Sequence, residues 1–307
     1  MKLSDLRVFQ EVANQGGITR AASVLNRVPS NVTTRIQNLE ADLGVLLFVR
    51  ESKRLQLTFQ GKILLDYSIR LLNLAEEARG AMHETNPRGV LALGAMESTA
   101  AIRLPALLAK LNESYPDLSV ELRTGAPRPL TARVLAGELD AALVAEPVSD
   151  TRLHSVLAYV ETLVIIGPLW HPPIRSARDM QIGNLLAFES DCPHRQRLEA
   201  WCARDQVAPQ KIIELGSYHA MLGCCIAGMG IALIPAAVLE TYTERIRLSE
   251  HFLDGDMRSV NTMLISRNDF MQPKVAALLQ VLSELQLNFA EDNTVISVEK
   301  RTRPVLP

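Results

Sequence analysis

The segment from Val28 to Glu40 carries the side chains whose types and spacing suit a defined chemistry. Its pattern predicts a short helix that buries Val32, Ile36 and Leu39 and turns a polar face outward. Small hydroxyls, amides and a guanidinium are groups that hydrogen bond to base edges and phosphates in DNA. We therefore expect this recognition helix to lie in a DNA groove. Its candidate contact residues are Pro29, Ser30, Asn31, Thr33, Thr34 and Arg35.

Two shorter elements are predicted to position the recognition helix. Residues 4–15 place their apolar side chains on one helical face, with Ser4 as the expected cap and Gly16 at the end. A second short helix is expected to start at Thr19, and a tight turn before Pro29 leads into the recognition helix. Two short helices joined by a tight turn form a helix-turn-helix, whose second member enters the major groove.

An apolar run followed by charge predicts a small β-hairpin after the recognition helix, with its second strand at Leu55–Thr58. Arg50, Lys53 and Arg54 would lie at or beside its tip, where cations contact the phosphates that flank a groove. The alternative is that each of these charges is a solvated surface residue. Taken in order, the helices and the hairpin predict a winged helix-turn-helix, mainly α.

A long helix is predicted from Gly61 to about His83, and its apolar residues alternate at spacings of three and four. Such a heptad pattern on an exposed helix needs a partner, and the same helix in a second copy would supply one. Packing against the rest of the chain is the alternative. The heptad residues are Leu64, Tyr67, Leu71, Leu74, Ala78 and Ala81.

The pattern changes after Asn86-Pro87-Arg88-Gly89, where strands begin to alternate with helices. This alternation predicts α/β units on sheets rich in parallel strands, in a body large enough for two lobes and a cleft. The predicted organisation has four parts: a DNA-binding domain at 1–60, a linker and dimerisation helix at 61–86, a body at 88–290, and a flexible tail at 291–307.

The net charge of −2 divides unevenly along the 307 residues. Residues 1–60 contain eight basic and five acidic side chains, a net charge of +3, so the remainder carries −5. A basic head on an acidic body fits a DNA-binding module joined to a ligand-binding domain. The charged N-terminus and the lack of a long apolar run predict a cytoplasmic protein without a membrane segment.

Catalytic and metal-binding motifs do not emerge from the sequence. It contains no GxSxG, HExxH or Walker loop, and its six histidines are scattered. The four cysteines form no CxxC pair and are expected to be free thiols. We therefore expect no enzymatic activity, no cofactor and no metal.

In order and spacing, these residues resemble the LysR-type transcriptional regulators over nearly the whole chain. The resemblance implies a winged helix, a linker helix and a two-lobed effector-binding domain like the periplasmic binding proteins, assembled as a homodimer and then a homotetramer. Many members have Ser-Gln-Pro where this chain has Val28-Pro29-Ser30, so their base contacts do not transfer. The resemblance rests on Phe9, Ala21-Ala22, Leu25, Ser30 to Ile36, Leu39-Glu40, Leu43 to Val45, Leu47-Phe48, Arg50, Leu57-Thr58, Gly61, Leu104-Pro105, Tyr115-Pro116, Gly137 to Asp140 and Ala227 to Pro235.

A narrower resemblance, to a polyamine-related regulator of this family, implies a link to polyamine or nitrogen metabolism. It rests on four short segments: Arg27–Asn31, Glu97–Ala101, Cys192–Arg195 and Ser217–His219.

Three loops that follow predicted strands carry the candidate effector site, because clefts in α/β folds form at the carboxyl ends of strands. Ser98 and Thr99 suit an anion at a helix start, or they simply cap that helix, whereas Glu97 would receive an ammonium group. The other candidates, each with a structural alternative, are Cys192, His194, Arg195, Tyr218 and His219.

The expected function is a sequence-specific transcription regulator that binds double-stranded DNA and is switched by a small-molecule effector. Two other hypotheses remain open. One is a cytosolic binding protein or enzyme whose N-terminal module serves only assembly. The other keeps DNA binding and makes Cys192, at a helix start where thiol pKa values fall, a redox switch.

Overall fold

The computed structural model describes residues 1–51, 54–82, 87–269 and 271–299. The chain divides into two compact units, one containing residues 1–82 and the other containing residues 87–135 and 139–299. Within the described residues, no helix combines the length and the apolar character needed to cross a membrane.

The first unit is a winged helix-turn-helix followed by a long helix, as the sequence predicts. Gly16 adopts a left-handed φ of 61° and ends the first helix, and Gly44 does the same for the third with a φ of 70°. Pro29 is the first residue of the third helix. The N–H that proline lacks would have no hydrogen-bond partner within the helix at this position. The elements are α1 (Leu3–Gln15), α2 (Ile18–Val24), α3 (Pro29–Leu43), β1 (Phe48–Glu51), β2 (Arg54–Leu57) and α4 (Phe59–Met82).

Two predicted helix caps are wrong. Helix α1 begins at Leu3, so Ser4 lies inside its first turn, and Lys2 precedes the helix without a side-chain cap. Helix α2 begins at Ile18 after Gly17, which places Thr19 within the helix. Both helices are held by burial of their apolar faces instead of by caps, because Leu6, Phe9 and Ala21 are among the buried core residues of this unit.

The long helix α4 packs back on this core from its N-terminal part to its middle. Leu72 is buried in the same cluster as α1 and α3, and Leu64 and Leu71 are partly buried against it. Part of the predicted heptad pattern therefore packs within the unit. Tyr67 and Leu74, by contrast, are each 55% exposed.

The second unit alternates strands and helices. Its strands are β3 (Gly89–Ala95), β4 (Leu118–Thr124), β5 (Ala141–Ala145), β6 (Leu153–Pro168), β7 (Asn184–Ala187), β8 (Lys211–Glu214), β9 (Ala232–Pro235), β10 (Leu248–His251) and β11 (Ser259–Arg267). Its helices are α5 (Glu97–Ile102), α6 (Leu104–Ser114), α7 (Pro127–Leu135), α8 (Pro193–Arg204), α9 (Tyr218–Ile226), α10 (Ala236–Glu240) and α11 (Pro273–Glu299).

Strand β6 runs through both lobes of this unit. Its first part, to Thr162, pairs antiparallel with β11, which continues through β5 to the parallel strands β3 and β4. We call this half the first lobe. From Leu163 onward β6 pairs with β9 and β10, and the parallel pair β7 and β8 lies beside β9 through a bridge from Leu185 to Ile231. This half is the second lobe. The predicted two-lobed α/β class is confirmed.

Four predicted elements differ from the observed ones. The helix expected from Thr99 to Ser114 is two helices, because Pro105 lacks the N–H that would continue the hydrogen-bond ladder across Arg103. Strands β6 and β11 are longer than expected and antiparallel. Helix α11, expected to end near 288, continues to Glu299, so it passes the predicted start of a loose tail at residue 291. Residues 300–307 lie outside the described chain.

Candidate DNA interface and effector cleft

Helix α3 presents the polar face that the sequence predicts. Val32, Ile36 and Leu39 are buried in the core, which fixes the rotation of the helix. Five of the six candidate contact residues are the exposed Pro29, Ser30, Asn31 and Thr34 and the partly buried Thr33. These five candidates therefore lie in the N-terminal half of α3, the part of a recognition helix that contacts bases.

The two threonines of this face donate their hydroxyl hydrogens to backbone carbonyls of the same helix. Thr33 Oγ1 donates to the Pro29 carbonyl and Thr34 Oγ1 donates to the Ser30 carbonyl, each at 3.0 Å. Each hydroxyl oxygen keeps its lone pairs. Both threonines are therefore set to accept hydrogen bonds, such as those from the amino groups of adenine or cytosine.

Arg35, the sixth candidate, is tied to helix α1. Its Nη1 lies 2.6 Å from Asp5 Oδ1 and 3.3 Å from Ser4 Oγ. The guanidinium thus fixes the recognition helix against α1, and contact with DNA would require it to share or leave Asp5. Its predicted contact with DNA stays a prediction.

Two residues beside α3 extend this face and were not selected from the sequence. Arg27 is exposed, and its Nη1 donates to Asn31 Oδ1 at 3.4 Å. Val28 is 63% exposed at the start of the helix, where an apolar side chain suits a thymine methyl. Their position in the turn immediately before Pro29 was the signal that could have identified them.

The hairpin of β1 and β2, which we call the wing, is held to the recognition helix by Glu40. Its Oε1 accepts hydrogen bonds from the N–H groups of Leu47 and Phe48, at 2.8 and 3.2 Å. The hairpin itself pairs Phe48 with Leu57. Lys53 lies outside the described residues, and so do the side chains of Arg50 and Arg54. The predicted phosphate contacts of these three cations stay predictions.

The second unit contains a cavity of about 360 Å³ between its two lobes. The first lobe contributes Met96, Glu97 and Ser98 after β3 and Thr124 to Pro127 after β4. The second lobe contributes residues that follow β7 and β8. They are Phe188, Glu189, Cys192, Pro193 and His194 after β7, and Gly216 and Tyr218 after β8. The cavity therefore lies at the carboxyl ends of four parallel strands, where α/β clefts bind ligands.

Tyr218 joins the two lobes across this cavity. Its backbone N–H lies near enough to the Glu97 carboxylate to lower the pKa of Glu97, and its hydroxyl interacts with the Ser98 side chain. Its ring packs edge-on against Phe188, with 4.8 Å between the ring centroids. Burial raises the pKa of Glu97, whereas the Tyr218 N–H and the nearby His219 lower it. Glu97 is thus a partly desolvated carboxylate that contacts both lobes.

His194 forms an uncharged wall of the cavity. Burial, together with the nearby Arg197, lowers the pKa of His194 to about 4, so its imidazole is neutral at pH 7. Among the described residues, its Nδ1 has no hydrogen-bond partner. Burial also raises the pKa of the neighbouring Cys192 thiol, although the N–H groups of Arg195 and His194 lower it. A thiol held in its protonated form is a poor nucleophile, which weighs against the redox hypothesis.

Two family models together match most of the chain. Residues 3–62 match the model described as "Bacterial regulatory helix-turn-helix protein, lysR family", and residues 84–286 match "LysR substrate binding domain". The chain belongs to the LysR family. As a member of this family of transcriptional regulators it is a DNA-binding regulator with an effector-binding domain, and it is not an enzyme.

Relatives and solved structures agree with this assignment. This LysR regulator is 37% identical over 281 residues to the HTH-type transcriptional regulator GltR of Bacillus subtilis (strain 168), covering 91% of this chain and 95% of GltR. Its fold matches a full-length OxyR variant from Pseudomonas aeruginosa, with a TM-score of 0.71, 21% identity and coverage of 92% and 94% of the two chains. It also matches full-length CbnR complexed with its target DNA, with a TM-score of 0.68, 22% identity and coverage of 92% and 99%. These names give no support to the narrower polyamine-related resemblance.

Of the eight predicted effector residues of this LysR regulator, five line the cavity: Glu97, Ser98, Cys192, His194 and Tyr218. Thr99 is buried behind it, and His219 is exposed outside it. Arg195 does not line it either. Its guanidinium lies 2.8 Å from Glu199, 3.0 Å from Glu214 and 3.0 Å from the Phe188 carbonyl, all within the second lobe.

Two polar lining residues of the LysR regulator were not selected from its sequence. Glu189 lies two residues after the end of β7, and Thr124 is the last residue of β4. The same signal that identified Glu97, a polar side chain at the carboxyl end of a strand, applies to both. Among the described residues, no group of three or more His, Cys, Asp and Glu is arranged to hold a metal ion.

Proposed function

We propose that this LysR regulator recognises its DNA site with the N-terminal half of α3, and that a small molecule in the interlobe cavity switches its activity. The observation that carries the proposal is the pairing of two features in one chain: an exposed polar helix face and a ligand-sized cavity lined from both lobes. Closure of the lobes on a ligand would favour one conformation of the regulator, and so shift its DNA affinity or binding geometry.

We propose that the active form is a homodimer through α4, with the homotetramer as the complete assembly. The support is the exposed apolar strip on α4 that Tyr67 and Leu74 share with Ile63. These residues fall at helical spacings on one face, and the heptad residues Leu64 and Leu71 already pack within the first unit. A self-complementary strip is what a two-fold symmetric interface requires.

We propose that the protein acts in the cytoplasm, because the DNA that it would bind is there. Polyamine or nitrogen metabolism is the proposed setting. Its support is the acidic character of the cavity, since Glu97 and Glu189 both line it and a carboxylate suits an amine.

Footprinting on the DNA upstream of the regulator's own gene tests this proposal. Dimers predict protected half-sites with partial dyad symmetry, separated by one helical turn or a multiple of it. A complete absence of protection, at protein concentrations where the chain is folded, would refute the proposed function.

A further inference from the structure

The cavity walls carry negative charge. Glu97 from the first lobe and Glu189 from the second both line the cavity, and no Lys or Arg is among its described lining residues. The nearby Arg195 is already engaged with Glu199 and Glu214. Glu97 is partly buried and Glu189 is exposed at the edge of the cavity, and both carboxylates would attract a cation bound there.

Glu97 retains acceptor capacity for such a cation. Its carboxylate lies near the Tyr218 N–H, whereas a carboxylate has about four acceptor positions. Because Glu97 is only partly buried, water reaches those positions in the open cavity. An ammonium group would replace that water with charge-assisted hydrogen bonds.

His194 adds an uncharged polar side chain to the cavity wall. It is only 6% exposed and lines the cavity, and its Nδ1 is without a partner among the described residues. That nitrogen has almost no accessible surface, so other atoms of His194 line the cavity. A neutral imidazole forms a hydrogen bond with a polar group of a ligand without adding charge.

The helix starts of the second lobe offer an anionic ligand few free donors. The first N–H of α9, which would attract a carboxylate, already lies near the Glu97 carboxylate, and the Ala220 N–H donates to Ser217 Oγ at 3.3 Å. Pro193 opens α8 without an N–H. The helix starts at α8 and α9 therefore offer an anion fewer free donors than an ordinary helix start does.

We infer that the effector is a small organic cation, with an ammonium group held between Glu97 and Glu189 and a second polar group hydrogen bonded to His194. The inference rests on the proposed function, because it names the ligand class of the same cavity. A volume of about 360 Å³ suits a small metabolite.

Thermal unfolding of the full chain with matched ligands tests this inference. The probes are α,ω-diamines, ω-amino acids and α,ω-dicarboxylates of four to six carbons, which share a chain and differ only in their ends. At saturation we expect at least one amine-bearing member to raise the Tm by about 3 °C or more. The dicarboxylates should leave the Tm unchanged. Stabilisation by dicarboxylates alone, or by none of the amines, overturns the inference.

Charge-removing variants provide the second arm of the experiment. Glu97→Gln and Glu189→Gln should each weaken binding of the stabilising amine about tenfold or more, because each removes one charged hydrogen-bond partner. Glu121→Gln is the matched control, since Glu121 is exposed on β4 and does not line the cavity. An amine that binds the Glu97→Gln, Glu189→Gln double variant as tightly as the wild type overturns the inference.

A DNA-binding assay on the same protein separates this inference from the proposed function. If the chain binds its upstream DNA and no amine stabilises it, the ligand inference fails and the proposed function stands. If an amine stabilises it and no upstream DNA is bound, the proposed function fails and the ligand class stands.

Discussion

At the residue scale, Asn31 is the side chain of α3 best placed to read a base. It is exposed in the N-terminal half of the helix, and an asparagine amide pairs in bidentate fashion with the N6 and N7 atoms of adenine. Arg27 lies beside it and donates to its Oδ1, which orients the amide. Arg35, which the sequence also favoured, is engaged with Asp5.

Asn31→Ala should weaken specific DNA binding by about 1–3 kcal/mol, roughly tenfold to a hundredfold, and should leave non-specific binding unchanged. Titrations with specific and shuffled duplexes measure both. Asn38→Ala is the matched control, because Asn38 is an exposed amide of the same helix about two turns farther on. An equal loss from both substitutions would show that the N-terminal half of α3 has no special role.

His194 makes the stability of the second unit depend on pH. The pKa of the folded form is about 4 and that of an unfolded histidine is about 6.5, so the unfolded chain takes up the proton more readily. The stabilisation is therefore complete above about pH 6.5 and is lost as the pH falls toward 4, by on the order of 2–3 kcal/mol.

Urea denaturation at pH 7 and pH 4.5 measures this loss. His194→Gln should flatten the pH dependence, and His251 should account for part of the slope that remains, because burial also lowers its pKa. An unchanged slope in the variant would mean that His194 is not buried in its neutral form.

At the element scale, Gly61 sets how α4 joins the wing. A Cβ at this position would lie 2.1 Å from the Leu47 carbonyl oxygen, which is closer than any real contact. Thr58 completes the junction, since its Oγ1 donates to the Leu46 carbonyl at 2.8 Å and accepts from the Gly61 N–H at 2.9 Å. The start of α4 is thus packed directly on the backbone before β1.

Gly61→Ala should destabilise the first unit by about 1–3 kcal/mol, because the backbone must move to admit the methyl group. Gly223→Ala is the control, since Gly223 lies within α9 and nothing stands within 4 Å of its would-be Cβ. That substitution should be neutral or stabilising by up to about 1 kcal/mol. Chemical denaturation followed by circular dichroism compares the two; equal effects would contradict the close packing at Gly61.

Most elements follow from periodicity and from glycine and proline positions, and the exceptions have physical causes. The recognition helix was predictable because Pro29 marks its start, Gly44 marks its end, and its apolar residues lie on one face. The first part of β6 was not predictable. Its inward residues Val156 and Ala158 alternate with exposed residues that are also apolar, such as Leu157, so the sequence does not alternate between apolar and polar residues.

The cavity was predictable in outline and less so in its members. Polar residues at the ends of strands identified Glu97 and His194, and the same rule would have selected Glu189. Arg195 fits that rule and yet points to Glu199 and Glu214 instead. Sequence spacing places a residue near a cleft, whereas its side-chain direction depends on partners from other strands.

At the scale of the whole molecule, the proposed homodimer places Leu74 of α4 in an interface between two copies of the chain. Leu74→Glu should disrupt the homodimer, because it places a charge in an interface that would otherwise be apolar. Leu169→Glu is the matched control, since Leu169 is 63% exposed in the second unit and lies outside α4. Sedimentation velocity measures the assembly. Dimers that survive Leu74→Glu, or that dissociate equally in both variants, would contradict an interface through α4.

The central claim is that this chain reads a specific DNA site, and a fluorescence anisotropy titration tests it most directly. The full chain is titrated onto a duplex from its own upstream region and onto a shuffled duplex, between about 50 and 200 mM salt. We expect the affinity for the upstream duplex to be higher by about 10³-fold or more, and both affinities to fall steeply as salt rises. Equal affinity for the two duplexes, or binding that does not respond to salt, would contradict it.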